Sequence, residues 1–166
     1  MFELNYKIVH GRHDDFWGQN GFLQIKCNGI EYGDLYPKEL EAVMDKVSLY
    51  DWVERFIRVI KNLSVRDYVV LSDVDSYNTW IEFRREKDKV VISIVKEEKE
   101  QGSRDIEFCL KRPRAGEWTN QVVDYIQMKS EVTEKAMEYL ECVISNNAET
   151  VEIKKLKDNL ISLLEG

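Results

Sequence analysis

Apolar and polar residues alternate at the start of the chain, in the pattern of a strand with one face in water. The apolar positions of this run are Phe2, Leu4, Tyr6 and Ile8. A second run, FLQIKCNGIEY over residues 22–32, contains Asn28-Gly29, a pair that supplies the two positive φ angles of a type I′ turn. The sequence therefore predicts a first strand followed by a hairpin.

Helical spacing follows the hairpin. Pro37 suits the first turn of a helix, and apolar side chains then recur along one face at Leu40, Val43, Met44 and Val47. Ser48 and Asp51 form a variant capping box before a second apolar stripe, made of Leu49, Val53, Phe56, Ile57, Ile60 and Leu63. The pattern predicts one kinked helix or two abutting helices between Pro37 and Leu63.

Strand character returns in the middle of the chain, and helical spacing returns at its end. The predicted strands cover residues 68–71, 79–84, 90–95 and 106–110, with a charged turn at 85–89. Two apolar series then fit helices: Ile126, Val132, Ala136, Leu140 and Val143, followed by Ile153, Leu156, Leu160 and Leu163. This order predicts one α+β domain over residues 1–166, with an antiparallel sheet of about five to seven strands, a helical insertion after the first hairpin, and carboxyl-terminal helices packed on the sheet.

Composition narrows the range of partners. The chain has 166 residues, of which 43% are hydrophobic and 33% charged, and its formal net charge is -7. A chain of this length can build one sufficient core. Nucleic-acid affinity depends on Lys and Arg displacing counterions, so direct binding to nucleic acid is not expected and a basic protein partner fits better. The alternative is that the negative charge only keeps the protein in solution.

Cysteine usage and hydropathy indicate the compartment. Cys27, Cys109 and Cys142 are widely spaced with no CxxC pair, which argues against a disulfide framework and a zinc site and favours reduced packing residues. The first residues lack the basic and apolar regions of a secretory signal, and no apolar run approaches membrane-spanning length. We expect a cytoplasmic protein that does not bind membranes, with its state as monomer or dimer left open.

The sequence offers only weak matches to catalytic and metal-binding motifs. Both histidines lie in the segment 10–15, but two histidines three residues apart in a predicted loop do not make a metal set. Asp73 and Asp75 in SDVDSYN resemble the start of a calcium loop, but Asn78 stands where that loop needs glycine and Arg84 where it needs glutamate. A nucleophile elbow and a phosphate loop are both absent from the sequence. The prediction is a non-enzyme with no metal and no cofactor; a small hydrolase or metal enzyme using residues 10–15 is the competing hypothesis.

Aromatic residues beside acidic ones give a positive indication. Those at predicted strand ends and loops are Trp17, Tyr32, Tyr36, Tyr77, Trp80 and Trp118. Tyrosine and tryptophan are frequent anchors of protein interfaces, and carboxylates attract a basic partner. The alternative is that the tryptophans fill the core.

The run from Trp17 to Asp34, with GFLQI, NG and YGD, resembles the front of small immunity proteins of bacterial polymorphic-toxin systems, including contact-dependent growth inhibition. The resemblance covers mainly residues 17–95. It implies a cytosolic antitoxin that binds its cognate toxin domain, commonly a basic nuclease, and covers the active site or substrate surface of that toxin. If the toxin-binding surface is acidic, the expected partner-binding residues are Asp34, Tyr36, Asp73, Asp75 and Tyr77.

A second hypothesis describes a different kind of binder. Secretion and assembly chaperones are also small, acidic and α+β, and they hold a client segment along a sheet edge or an apolar groove. Such chaperones usually dimerise.

Overall fold

A computed structural model describes all 166 residues and has the α+β architecture that the sequence predicts. The strands are β1 Phe2–Ile8, β2 Asn20–Cys27, β3 Ile30–Tyr32, β4 Val47–Ser48, β5 Tyr68–Ser72, β6 Thr79–Glu86, β7 Lys89–Lys96, β8 Ile106–Glu107, β9 Arg114–Ala115 and β10 Gln121–Asp124. The helices are α1 Leu49–Leu63, α2 Tyr125–Asn146 and α3 Val151–Glu165.

All strand pairs are antiparallel, and they divide into two sheets where the sequence suggested one. The first sheet has the order β1-β2-β3, with β4 beside the start of β2. The second has the order β10-β7-β6-β5-β8, with β9 beside the end of β7. The Trp118 indole joins the sheets by donating to the carbonyl of Glu31 at 3.0 Å.

Turn chemistry sets the two hairpins. Asn28 and Gly29 have φ angles of 52° and 88°, which confirms the predicted type I′ turn between β2 and β3. In the second hairpin Glu86 pairs with Lys89, so the turn is tighter than the predicted segment 85–89. β8 is also shorter than predicted: the strand ends at Glu107, and the Phe108 ring lies under the Arg66 guanidinium instead.

The predicted helix between Pro37 and Val47 is wrong, whereas the predicted helix up to Leu63 is confirmed. Residues 38–40 form a single 3₁₀ turn, and Val43 is 73% exposed. Val47 instead belongs to β4, where it pairs with Gly21. Helical spacing gives no stability without a surface to cover the apolar face. Helix α1 starts after Ser48, whose hydroxyl accepts the amide hydrogen of Asp51 at 3.3 Å.

Helix α1 occupies the centre of the molecule. The Phe56 ring on α1 lies 6.2 Å from Phe2 in the first sheet and 6.4 Å from Phe83 in the second. Helices α2 and α3 pack against α1, and α2 also contacts β1 and β10, which confirms the prediction of carboxyl-terminal helices packed on the sheet. Every apolar position predicted for these two helices is buried except Ile126, which is 65% exposed. None of the three helices is both long and apolar enough to span a membrane.

Side chains of α2 protect the free edge of β1. The Gln127 amide accepts the Phe2 N–H and donates to the Phe2 carbonyl, both at 2.8 Å. One turn later, the Glu131 carboxylate accepts the Leu4 N–H at 3.0 Å. These bonds satisfy backbone groups that would otherwise be open to pairing with another chain.

Replacing Glu131 by alanine should lower the free energy of unfolding by about 1–3 kcal/mol, because the Leu4 N–H loses its acceptor in a buried position. Urea unfolding followed by circular dichroism measures the change. Glu141→Ala is the matched control, since it removes an exposed carboxylate from the same helix. Equal stability of the two variants would contradict this role for Glu131.

Candidate functional site

A cavity of about 300 Å³ opens where the two sheets meet the start of α1. Its walls come from β2, β3, β4, α1 and the loop between β5 and β6. The residues that line it are Leu23, Tyr32, Gly33, Asp34, Val47, Trp52, Asp73 and Asp75. The cavity therefore combines an apolar and aromatic wall with three carboxylates.

Gly33 places Asp34 at this cavity. Its φ angle is +84°, and a Cβ atom there would lie 2.3 Å from the Leu23 carbonyl oxygen. Only glycine fits this close approach of the chain to β2. The Asp34 carboxylate then accepts a hydrogen bond from the Tyr36 hydroxyl at 3.2 Å, and the Tyr36 ring packs against Phe22.

The loop that carries Asp73 and Asp75 is held by several polar contacts. The Tyr32 hydroxyl donates to the Asp73 carboxylate, which ties β3 to this loop across the cavity. The Asp75 N–H donates to the other Asp73 oxygen at 3.1 Å. The Lys99 ammonium lies 5.4 Å from the centre of the Trp80 ring and donates to the carbonyls of Asp73 and Ser76. The position of the loop is therefore set before any ligand binds.

The carboxylates at the cavity lack close cationic partners. No Lys, Arg or His nitrogen lies within 4.0 Å of a carboxylate oxygen of Asp34, Asp73 or Asp75. Burial and the charge of Asp73 raise the pKa of Asp75 above its usual 3.8, although the charges of Arg55 and Lys99 act in the opposite direction. The site therefore keeps a local excess of negative charge.

Trp52 adds an unpaired donor to the cavity wall. The residue is only 4% exposed, and its indole N–H has no acceptor in the protein. A buried donor without an acceptor is uncommon and costs about 1–3 kcal/mol.

The structure places three of the five expected partner-binding residues, Asp34, Asp73 and Asp75, around one cavity. Tyr36 does not line the cavity but donates to the Asp34 carboxylate, and Tyr77 lies on the β5–β6 loop with 78% of its surface exposed. Sequence reasoning missed Trp52. Its spacing was informative, since it lies three residues after Leu49 and four before Phe56 on the buried stripe of α1.

The histidine segment forms a braced turn. The Asp14 carboxylate accepts hydrogen bonds from the Gly11 N–H at 2.7 Å and from the Asn20 amide at 2.8 Å, and His10 lies 3.5 Å away. Burial alone would raise the pKa of Asp14, but these hydrogen bonds and the charge of His10 lower it. This carboxylate is used in holding the turn to β2.

The three cysteines differ in how far they are buried. Cys27 is fully buried, and burial raises the pKa of its thiol to about 12, as expected for a packing residue. Cys109 and Cys142 are exposed, so the prediction that they are packing residues is wrong. Trp80 and Trp118 are buried, which agrees with the alternative that the tryptophans fill the core.

Comparison of the chain with protein-family models, curated proteins and solved structures gave no match.

Asp75→Asn should raise the melting temperature at pH 7. Above its raised pKa, the ionised Asp75 costs folding free energy, and asparagine removes that cost. Below pH 3.8, the usual pKa of this side chain, Asp75 is protonated in both the folded and the unfolded chain, so the gain should vanish. Thermal unfolding between pH 3 and pH 7 measures both effects.

Asp105→Asn is the contrasting variant in the same experiment. Burial would raise the pKa of Asp105, but hydrogen bonds and charge from Arg58 and Arg55 on α1 lower it overall. A lowered pKa stabilises the fold above the usual value, and that stability is lost as the pH falls through the lowered pKa. Asp105→Asn should therefore destabilise the protein at pH 7. If Asp75→Asn lost as much stability as Asp105→Asn, the ionised Asp75 would support the fold, which would contradict this prediction.

Proposed function

We propose that this chain is an immunity protein that binds a basic toxin domain in the cytoplasm and neutralises it. The surface that binds is the acidic face, which we define as the cavity together with its two bordering segments, residues 33–46 and 73–78. The observation that carries the proposal is the group of carboxylates around the cavity with no cation within 4.0 Å. The resemblance of residues 17–95 to immunity proteins points to the same function.

The acidic face also has the mixed chemistry of a protein interface. Exposed apolar side chains lie on both bordering segments beside the carboxylates: Leu35, Leu40, Val43, Val74 and Tyr77. Asp45 adds a further charge, since it contributes to the raised pKa of Asp75 after burial and Asp73. Interfaces combine aromatic and apolar contacts with a polar rim, and complementary charge increases the rate of association.

Binding at such a face explains inhibition in simple terms. A nuclease holds the phosphate backbone of its substrate with lysine and arginine side chains. An acidic protein that covers those side chains competes with the nucleic acid for the same charges and keeps the substrate away from the active site. This mode of action requires no catalytic group in the immunity protein.

If a toxin domain is encoded beside the gene of this protein, co-expression of the two tests the function. The protein should restore growth to cells that produce the toxin, and the two proteins should co-purify. Unchanged killing by the toxin, with the protein present in folded form, would refute the proposal.

The double variant Asp34→Lys, Asp75→Lys should reduce the association rate with the toxin by about ten- to a hundredfold at low salt, and the difference should shrink as salt rises. Stopped-flow fluorescence measures the rate. Asp88→Lys is the control, because Asp88 lies at the opposite end of the β6–β7 hairpin, roughly 25 Å along the strand. Equal rates for the double variant and the control would exclude the acidic face as the docking surface.

The chaperone hypothesis rests on a different surface. An open groove of about 450 Å³ runs between α2 and α3 and includes the apolar residues Ile126, Leu163 and Leu164. It shares no residue with the acidic face. If the protein holds a client there, Ile126→Asp should abolish client binding, whereas the double charge reversal should leave it unchanged.

A further inference from the structure

We propose that the cavity receives the side chain of a single arginine from the partner protein. The guanidinium would pair with the carboxylates of Asp34 and Asp75, and its aliphatic stem would lie against the apolar wall. This inference rests on the proposed function in one respect, namely that the ligand belongs to a protein.

The size of the cavity fits one long side chain. Its volume of about 300 Å³ lies at the lower end of the range of ~300–1,000 Å³ for small-molecule sites. Half of the residues that line it are hydrophobic, including Leu23 and Val47. An apolar wall favours a ligand with a hydrocarbon stem over a small hydrated cation.

The charge and the aromatic rings favour arginine over lysine. The guanidinium is a planar group with five N–H donors, so it can pair with two carboxylates at once, and it stacks on aromatic faces. Tyr32 and Trp52 both line the cavity beside Asp34 and Asp75. A lysine ammonium is a compact, strongly hydrated charge, so it pairs less well with two carboxylates at once and stacks less well on aromatic rings.

The Asp73 carboxylate argues for an arginine side chain rather than for a metal ion. Both Asp73 oxygens are already engaged, one by the Tyr32 hydroxyl and the other by the Asp75 N–H, which disfavours a calcium ion that needs several free oxygens.

The test is titration of the protein with N-acetyl-arginine amide, followed by the nuclear magnetic resonance signal of the Trp52 indole N–H. N-acetyl-citrulline amide, which has nearly the same shape without the charge, and N-acetyl-lysine amide are the comparison ligands. The arginine amide should shift the Trp52 signal with a dissociation constant on the order of 1 mM, and the other two ligands should bind at least about tenfold more weakly.

Asp34→Asn combined with Asp75→Asn should weaken arginine-amide binding by about tenfold or more, because the charge-assisted hydrogen bonds are lost. Asp88→Asn is the matched control and should leave binding unchanged. The backbone amide spectrum of each variant reports whether the fold is intact. If the double variant does not fold, the comparison of arginine with citrulline in the unaltered protein decides the matter.

Three outcomes would overturn the inference: no shift of the Trp52 signal at about 50 mM arginine amide, equal binding of citrulline amide, or equal binding of lysine amide. None of these measurements needs the toxin. Protection from the toxin without an arginine effect would leave the immunity function standing and remove the arginine pocket. Arginine binding without protection from the toxin would keep the arginine pocket and refute the immunity function.

Discussion

Phe56 on α1 contacts both sheets, and this contact makes one continuous core of the two sheets and the three helices. Its ring meets Phe2 of the first sheet and Phe83 of the second, while α2 and α3 cover the remaining sides of α1. Each sheet has an apolar face that must be covered, and α1 contributes to the cover of both together with α2. Because Trp52 lies one turn before Phe56 and stacks on it at 6.1 Å, the same packing fixes one wall of the cavity.

The carboxylates near α1 divide into two groups with opposite effects on stability. Asp105 is held between Arg55 and Arg58, so its charge supports the fold. Asp75 has no such partner, and its charge is costly in the folded protein. Natural proteins often tolerate such a cost where a group serves binding rather than folding. The contrast separates a carboxylate that is paired within the fold from one that is not, and net charge alone does not make that distinction.

Local patterns predicted most of the elements, and long-range pairing accounts for the failures. Alternation in β1 and the Asn28-Gly29 turn are properties of short segments, so the sequence reveals them. The stretch from Pro37 to Val47 has helical spacing, but Val47 pairs with Gly21, more than twenty residues earlier in the chain. The division into two sheets and the placement of Asp34 and Asp73 at one cavity depend on distant contacts in the same way. Candidate residues could be chosen from sequence, but their cavity could not.

The Asp73 carboxylate adds negative charge to the cavity, but it also links β3 to the β5–β6 loop. The sequence predicts Asp73 as a partner-binding residue, together with Asp75. Its carboxylate, however, accepts bonds from the Tyr32 hydroxyl and the Asp75 N–H, so a lysine there would disturb the link between β3 and the loop. Asp34 and Asp75 are the two whose charge can be altered while that link stays intact. The acidity of the chain thus matters through its placement, with Asp73 shaping the cavity and its neighbours supplying the free charge.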